Sequence, residues 1–157
     1  MKSKIVVIAS LFTLLSVPVV STAEMKAEDA IKFRQSGMMF MRWNMGKIKQ
    51  QVVKQPETYN KEQVLAAAQA IAGVANSGMG ALFGSDTKEG KGWHETRIKP
   101  EFFDQPDEVK KRSRKFNEEA NKMVDVANSG DVAMIKDQFD NLFEACKGCH
   151  KKFRKKD

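Results

Sequence analysis

Apolar residues in this chain recur at steps of three and four through four separate segments, the period of a helix that buries one face. Alternating β-branched runs, which mark strands, are missing from it. The first segment spans about 27 to 54, with Ile31, Arg34, Met38, Met41, Met45, Ile48 and Val52 on one seam and Pro56 stopping it. The second spans about 61 to 77 on Val64, Ala68, Ile71 and Ala75, and Gly78 and Gly80 end it. The third starts near 104 to 106, where Asp-Gln-Pro-Asp-Glu reads as a cap with an acidic first turn. Its seam is Val109, Ser113, Phe116, Ala120, Met123 and Ala127, closed by Asn128-Ser129-Gly130. Asp131 caps the fourth, whose seam is Val132, Ile135, Phe139, Leu142, Cys146, Cys149 and Phe153. Residues 84–105 read as an irregular loop, longer than compact bundles keep without a purpose. The pattern predicts an all-α protein, an antiparallel four-helix bundle with a long loop between helices 2 and 3.

The N-terminus stands apart from that pattern. Lys2 and Lys4 precede an apolar stretch, residues 5–20, and Ser21-Thr22-Ala23 supplies the small residues of a signal-peptidase site. The reading is a signal peptide, 1–23, cut after Ala23, followed by one domain, 24–157. A retained anchor is the weaker reading, because the run is short for a membrane span and acidic, amphipathic sequence follows at once. Export is expected, with no stable membrane span. Cleavage removes two of 27 basic residues and none of 20 acidic ones, leaving a modest excess of five. Nucleic acid is a poor partner for an exported chain without aromatics interleaved in a basic stripe.

The chain has two cysteines, three apart near its end. In an oxidising compartment such a pair forms a short-loop disulfide, holds a metal, or carries a covalent cofactor. His150 follows the second, so Cys146-Lys147-Gly148-Cys149-His150 has the c-type haem attachment pattern. On a helix, side chains three and four apart share a face, about 5–6 Å between Cβ atoms, so both thiols can reach vinyl groups on neighbouring pyrroles. His150 lies one turn beyond Cys146 as the proximal iron ligand. A thioredoxin-like dithiol needs a strand before its helix, and zinc needs more ligands than His94 could add. Arg34 is a second pointer: on an apolar seam its charge requires an anion beside it, such as a haem propionate, unless the side chain reaches outward to a surface carboxylate.

These residues resemble the cytochrome c′ family, the class II c-type cytochromes. The likeness runs through nearly all of residues 24–157, anchored by Ala27-Glu28-Asp29-Ala30-Ile31-Lys32-Phe33-Arg34-Gln35-Ser36, by the motif at 146–150 and, more weakly, by Lys99-Pro100-Glu101-Phe102-Phe103. The resemblance implies one covalently bound haem c on Cys146 and Cys149, with His150 ligating iron and Arg34 and Gln35 contacting the haem. Arg154 matches a basic residue flanking the proximal histidine in many members. A periplasmic homodimer packed through its first two helices is also implied. Gly78-Met79-Gly80 departs from relatives that carry an aromatic after a proline.

Met38, one turn beyond Arg34, decides the mechanism. By resemblance the iron is five-coordinate, with Met38 blocking but not ligating the sixth position, so the protein binds NO or CO and can pass single electrons. The alternative is a low-spin electron carrier with His150 and Met38 as axial ligands. Methionines at helical spacing are also common core filler, and Met39, Met41 and Met45 accompany Met38. A peroxidase is disfavoured, since no acid–base pair accompanies Met38, and the chain is read as a binding and carrier protein, not an enzyme. His94 reads as a surface residue. The cations Lys147, Lys151, Lys152, Arg154, Lys155 and Lys156 either complement a helix C-terminus or steer a redox partner protein.

Overall fold

The computed structural model describes residues 25–156. The signal peptide with its cut after Ala23, and the outer limits of the 24–157 domain, lie outside the described residues. Four long helices form the fold: α1 Ala27–Lys49, α2 Lys61–Ala75, α3 Pro106–Ser129 and α4 Val132–Phe153. Each neighbouring pair in sequence packs side by side, and α4 returns to the turn that ends α1, closing the bundle.

Local chemistry sets the ends. The Asn60 side chain accepts from the Gln63 N–H at 2.9 Å, and that of Asp131 accepts from Met134 N–H at 3.0 Å, each satisfying an orphan donor of a first turn. Pro106 opens α3 at a position where its missing N–H costs nothing, and Gly130 closes it at φ 80°. The expected side-chain cap at the start of α3 does not form; Gln105 precedes the helix without one. Helix 1 was expected to run evenly to 54. Its last turn, Gln50–Lys54, instead widens into a π-helix. Gln51, buried in that turn, donates to Gln63 Oε1 and accepts from Asn60 N–H, tying α1 to the start of α2.

Ile48, Val64, Ile71, Met123, Ile135 and Leu142 fill the core. Alanines 67, 68, 120 and 127, all fully buried, let the backbones approach. Two seam assignments differ. Ser113 is exposed, because α3 turns Arg112 and Glu119 toward α4 instead. Met38 is 40% exposed, between the buried Arg34 and Met41.

The long connection is more ordered than its composition suggests. Turns of 3₁₀-helix at Met79–Leu82 and Ser85–Thr87 precede a one-turn helix, Glu101–Asp104. Between them the chain straps across the bundle, from α1 to the end of α4. Lys99 N–H donates to Phe153 O at 2.9 Å and Lys155 N–H to Arg97 O at 2.8 Å. At the other end, Gly92 lies so close to α1 that a Cβ there would sit 2.8 Å from Lys32 N and 2.7 Å from Gln35 Oε1.

Candidate cofactor site

Cys146, Cys149 and His150 occupy the last turns of α4 and are all half-buried. Both cysteines are free thiols. Burial raises the Cys146 pKa to about 11, with Cys149 adding to the shift. Burial also raises that of Cys149, while the Arg112 guanidinium opposes it. The His150 pKa moves the other way: desolvation lowers it, and the cations of Arg154 and Arg97 lower it further. Its imidazole is therefore neutral at neutral pH, the form that ligates a metal. Among the described residues no three His, Cys, Asp or Glu side chains converge to hold a metal ion, and no strand precedes the motif.

Arg112 was not singled out by its position in the sequence. Its Nε donates to Glu108 Oε1 at 2.7 Å, one turn back on α3, and that bond holds the guanidinium over α4. A Cβ on Gly148 would lie 3.1 Å from its terminal nitrogen. Gly148 thus makes room for a cation beside Cys149, a role that the Glu108–Arg112 spacing could have suggested.

Arg34 and Gln35 face the strap. Arg34 is 4% exposed, and its two terminal nitrogens donate to Leu82 O, Thr87 O, Thr87 Oγ1 and Thr96 Oγ1 at 2.6–3.1 Å. These four neutral oxygens satisfy the terminal donors from within the chain, since a fork of donors takes carbonyls and hydroxyls as well as a carboxylate. Burial lowers the Arg34 pKa, and Asp86 partly offsets this. Gln35 Nε2 donates to His94 O at 2.8 Å, and its Oε1 accepts from Trp93 N–H at 2.8 Å. His94 itself is exposed, as expected. Arg34 also lies over the Phe83 ring, which stacks on Phe102, which in turn meets Phe153 edge-on. This aromatic chain links the Arg34 turn of α1 to the turn of α4 just after His150.

A model of the family described as "Cytochrome C'" matches residues 29–154. The chain belongs to the cytochrome c′ family. It is 46% identical over 132 residues to a cytochrome c′ of Rhodocyclus tenuis, covering 84% of this chain and 98% of that one. A solved cytochrome c′ described as having an unusual ligand-controlled dimer dissociation is 46% identical. It covers 85% of this chain and all of its own, with a TM-score of 0.80. A nitric oxide complex of a variant cytochrome c′ from Alcaligenes xylosoxidans is 28% identical, covering 83% and 98% with a TM-score of 0.72. As a member of this family, the chain is a haem protein of electron transport that carries covalently attached haem c with its iron. The residues fit that group: two unpaired thiols one turn apart and a neutral imidazole share one helix end, flanked by aromatic rings.

Proposed function

We propose that the chain is a periplasmic c-type haem protein with five-coordinate iron that binds NO or CO and can pass single electrons. Cys146 and Cys149 would hold the haem through two thioethers, and His150 would ligate its iron. The observation that supports this most is the joint placement of free thiols and a neutral imidazole at the end of α4. Once bound there, iron supplies a one-electron couple and a coordination position for a diatomic ligand. Burial of His150 keeps its lone pair available, and Arg97 and Arg154 reinforce this electrostatically. On α1, the thioether of Met38 offers no N–H or O–H, while the terminal donors of Arg34 and Gln35 are engaged by the strap. With the Arg34 terminal donors taken up by the protein itself, the arrangement favours NO and CO, and the nitric oxide complex of a relative supports this reading. Arg34 and Gln35 act from the haem side of α1 by holding that strap.

The alternative, a low-spin carrier with Met38 as sixth ligand, draws on the exposure of Met38, whose sulfur is not locked in the core as that of Met41 is. Neither reading is that of an enzyme. The signal peptide, cut after Ala23, delivers residues 24–157 to the periplasm, and no described helix is long and apolar enough to cross a membrane. The protein works as a homodimer, supported by an exposed apolar hollow of Met39, Phe40, Trp43 and Trp93 and by the dimer of a relative.

The test begins with polypeptide matured in a periplasm, denatured and extracted with acid–acetone. Retained pigment with a haemochrome spectrum is expected, and its loss in Cys146→Ala/Cys149→Ala. A pigment-free wild-type chain overturns the proposal. The native ferric protein should be high-spin and, once reduced, should bind CO promptly. A methionine-to-iron charge-transfer band that vanishes in Met38→Ala establishes the alternative.

A further inference from the structure

Helices α3 and α4 are both electrically lopsided. In α3 the cations Lys110, Lys111, Arg112, Arg114 and Lys115 precede an acidic second half; α4 begins acidic and ends in cations. Antiparallel packing brings like ends together. Lys152 Nζ lies 3.9 Å from Glu108, Arg112 lies over Gly148, and Lys115 and Glu144 line one groove. The strap adds Arg97 and Lys99, whose backbones pair with Lys155 and Phe153. Residues 97–115 and 147–156 together carry thirteen Lys and Arg against four Asp and Glu, whereas residues 116–146 carry two against seven. The positive pole is the end that bears Cys146, Cys149 and His150.

Cations at the end of α4 complement its dipole, but that does not account for the cations of α3, which lie in its N-terminal half, where the dipole offers them nothing. Lys110, Lys111, Arg114, Lys151, Lys155 and Lys156 are exposed, and none forms an ion pair among the described residues. We propose that this pole is the docking surface for an acidic electron-transfer protein, oriented by the charge separation so that the haem-bearing end meets the partner. This rests on the attachment of haem at 146–150. Attraction at one pole and repulsion at the other align an acidic protein before contact, raising the association rate at low ionic strength. An anionic membrane is the less suitable occupant, because lasting attachment there needs apolar residues beside the cations. Most of the large exposed apolar side chains (Phe33, Met39, Phe40, Trp43 and Trp93 among them) lie on α1 and the strap, and the two on α4, Met134 and Phe143, precede its basic segment.

The test uses the holoprotein and a reduced acidic plant-type [2Fe–2S] ferredoxin as electron donor, followed by stopped flow. The second-order rate constant should fall about tenfold between low and about 0.3 M salt. Lys110→Glu/Lys111→Glu/Arg114→Glu should slow it about tenfold at low salt. Lys49→Glu/Lys54→Glu/Lys136→Glu, with the same change in net charge, should change it less than about twofold. NMR titration of the oxidised pair should shift signals of residues 97–115 and 147–156. Because triple reversal can unfold α3, the milder Lys155→Gln/Lys156→Gln, beyond the helix end, should show the same direction with unchanged circular dichroism. A rate indifferent to salt, or equal slowing by the control triple, overturns the proposal. So does attachment of the holoprotein to phosphatidylglycerol vesicles at about 0.15 M salt that the α3 triple abolishes. A holoprotein that accepts electrons from neither ferredoxin nor dithionite instead refutes the redox reading beneath it.

Discussion

Arg34 concentrates the physical problem of this fold in one side chain. A guanidinium held at 4% exposure loses most of its hydration, and four oxygens from residues 82, 87 and 96 replace it. Arg34→Met removes the donors and leaves the buried Thr87 and the half-buried Thr96 without them, so unfolding in urea should show a loss of about 2–4 kcal/mol. Arg34→Lys should recover little of this, since an ammonium cannot reproduce the planar fork. Glu119 is the other buried charge with a readable consequence. Hydrogen bonds from Lys115 and Gln138 hold its carboxyl below the ordinary carboxylate value. A lowered folded pKa gives stability that is present above the unfolded value and lost as pH falls through the folded one. Glu119→Gln should therefore flatten the acid limb of a melting-temperature profile between about pH 5 and 3 relative to wild type.

Among the elements, the strap of residues 84–99 is the one whose composition conceals its order. Few of its residues are apolar, yet it is clasped at one end by Arg34, Gln35 and Ser36 and paired at the other with the chain after His150. Gly92 is the point of closest approach to α1. Gly92→Ala should cost about 1–3 kcal/mol in chemical denaturation, as overpacking does, because the added methyl meets backbone as well as the Gln35 side chain. The helices themselves were readable, since each apolar seam repeats through three or more turns and Asp131 caps α4 as its sequence position suggests. The widening of α1 at Gln50–Lys54 was not, because it depends on Gln51 finding Gln63 and Asn60 across the turn.

At the scale of the whole molecule, two exposed faces stand out: the apolar hollow on α1 and the basic pole. Trp43 and Trp93 are 58% and 64% exposed, and Trp93 is held there by its Nε1–H donating to Ser36 Oγ. If a second copy covers this hollow, Phe40→Lys/Trp43→Lys should convert a dimer to a monomer in sedimentation velocity while leaving the haem spectrum unchanged. A variant that sediments as wild type would show that the copies meet elsewhere. The strap carries Trp93 into the hollow at one end and pairs with the chain after His150 at the other, so loosening it at Gly92 should also shift the dimer–monomer balance, a second readout of the same variant.

The four helices, the motif at 146–150 and the family were legible from residue types and spacing, because helical periodicity and thioether spacing are local properties of a chain. Tertiary structure alone decided that Arg34 is satisfied by neutral oxygens of a distant segment, that Arg112 lies over Gly148 beside Cys149, and that two basic half-helices share one pole. Each of these depends on which residues far apart in sequence become neighbours. A spacing rule reports only what a residue shares with its own helix, whereas packing settles what it meets across the bundle.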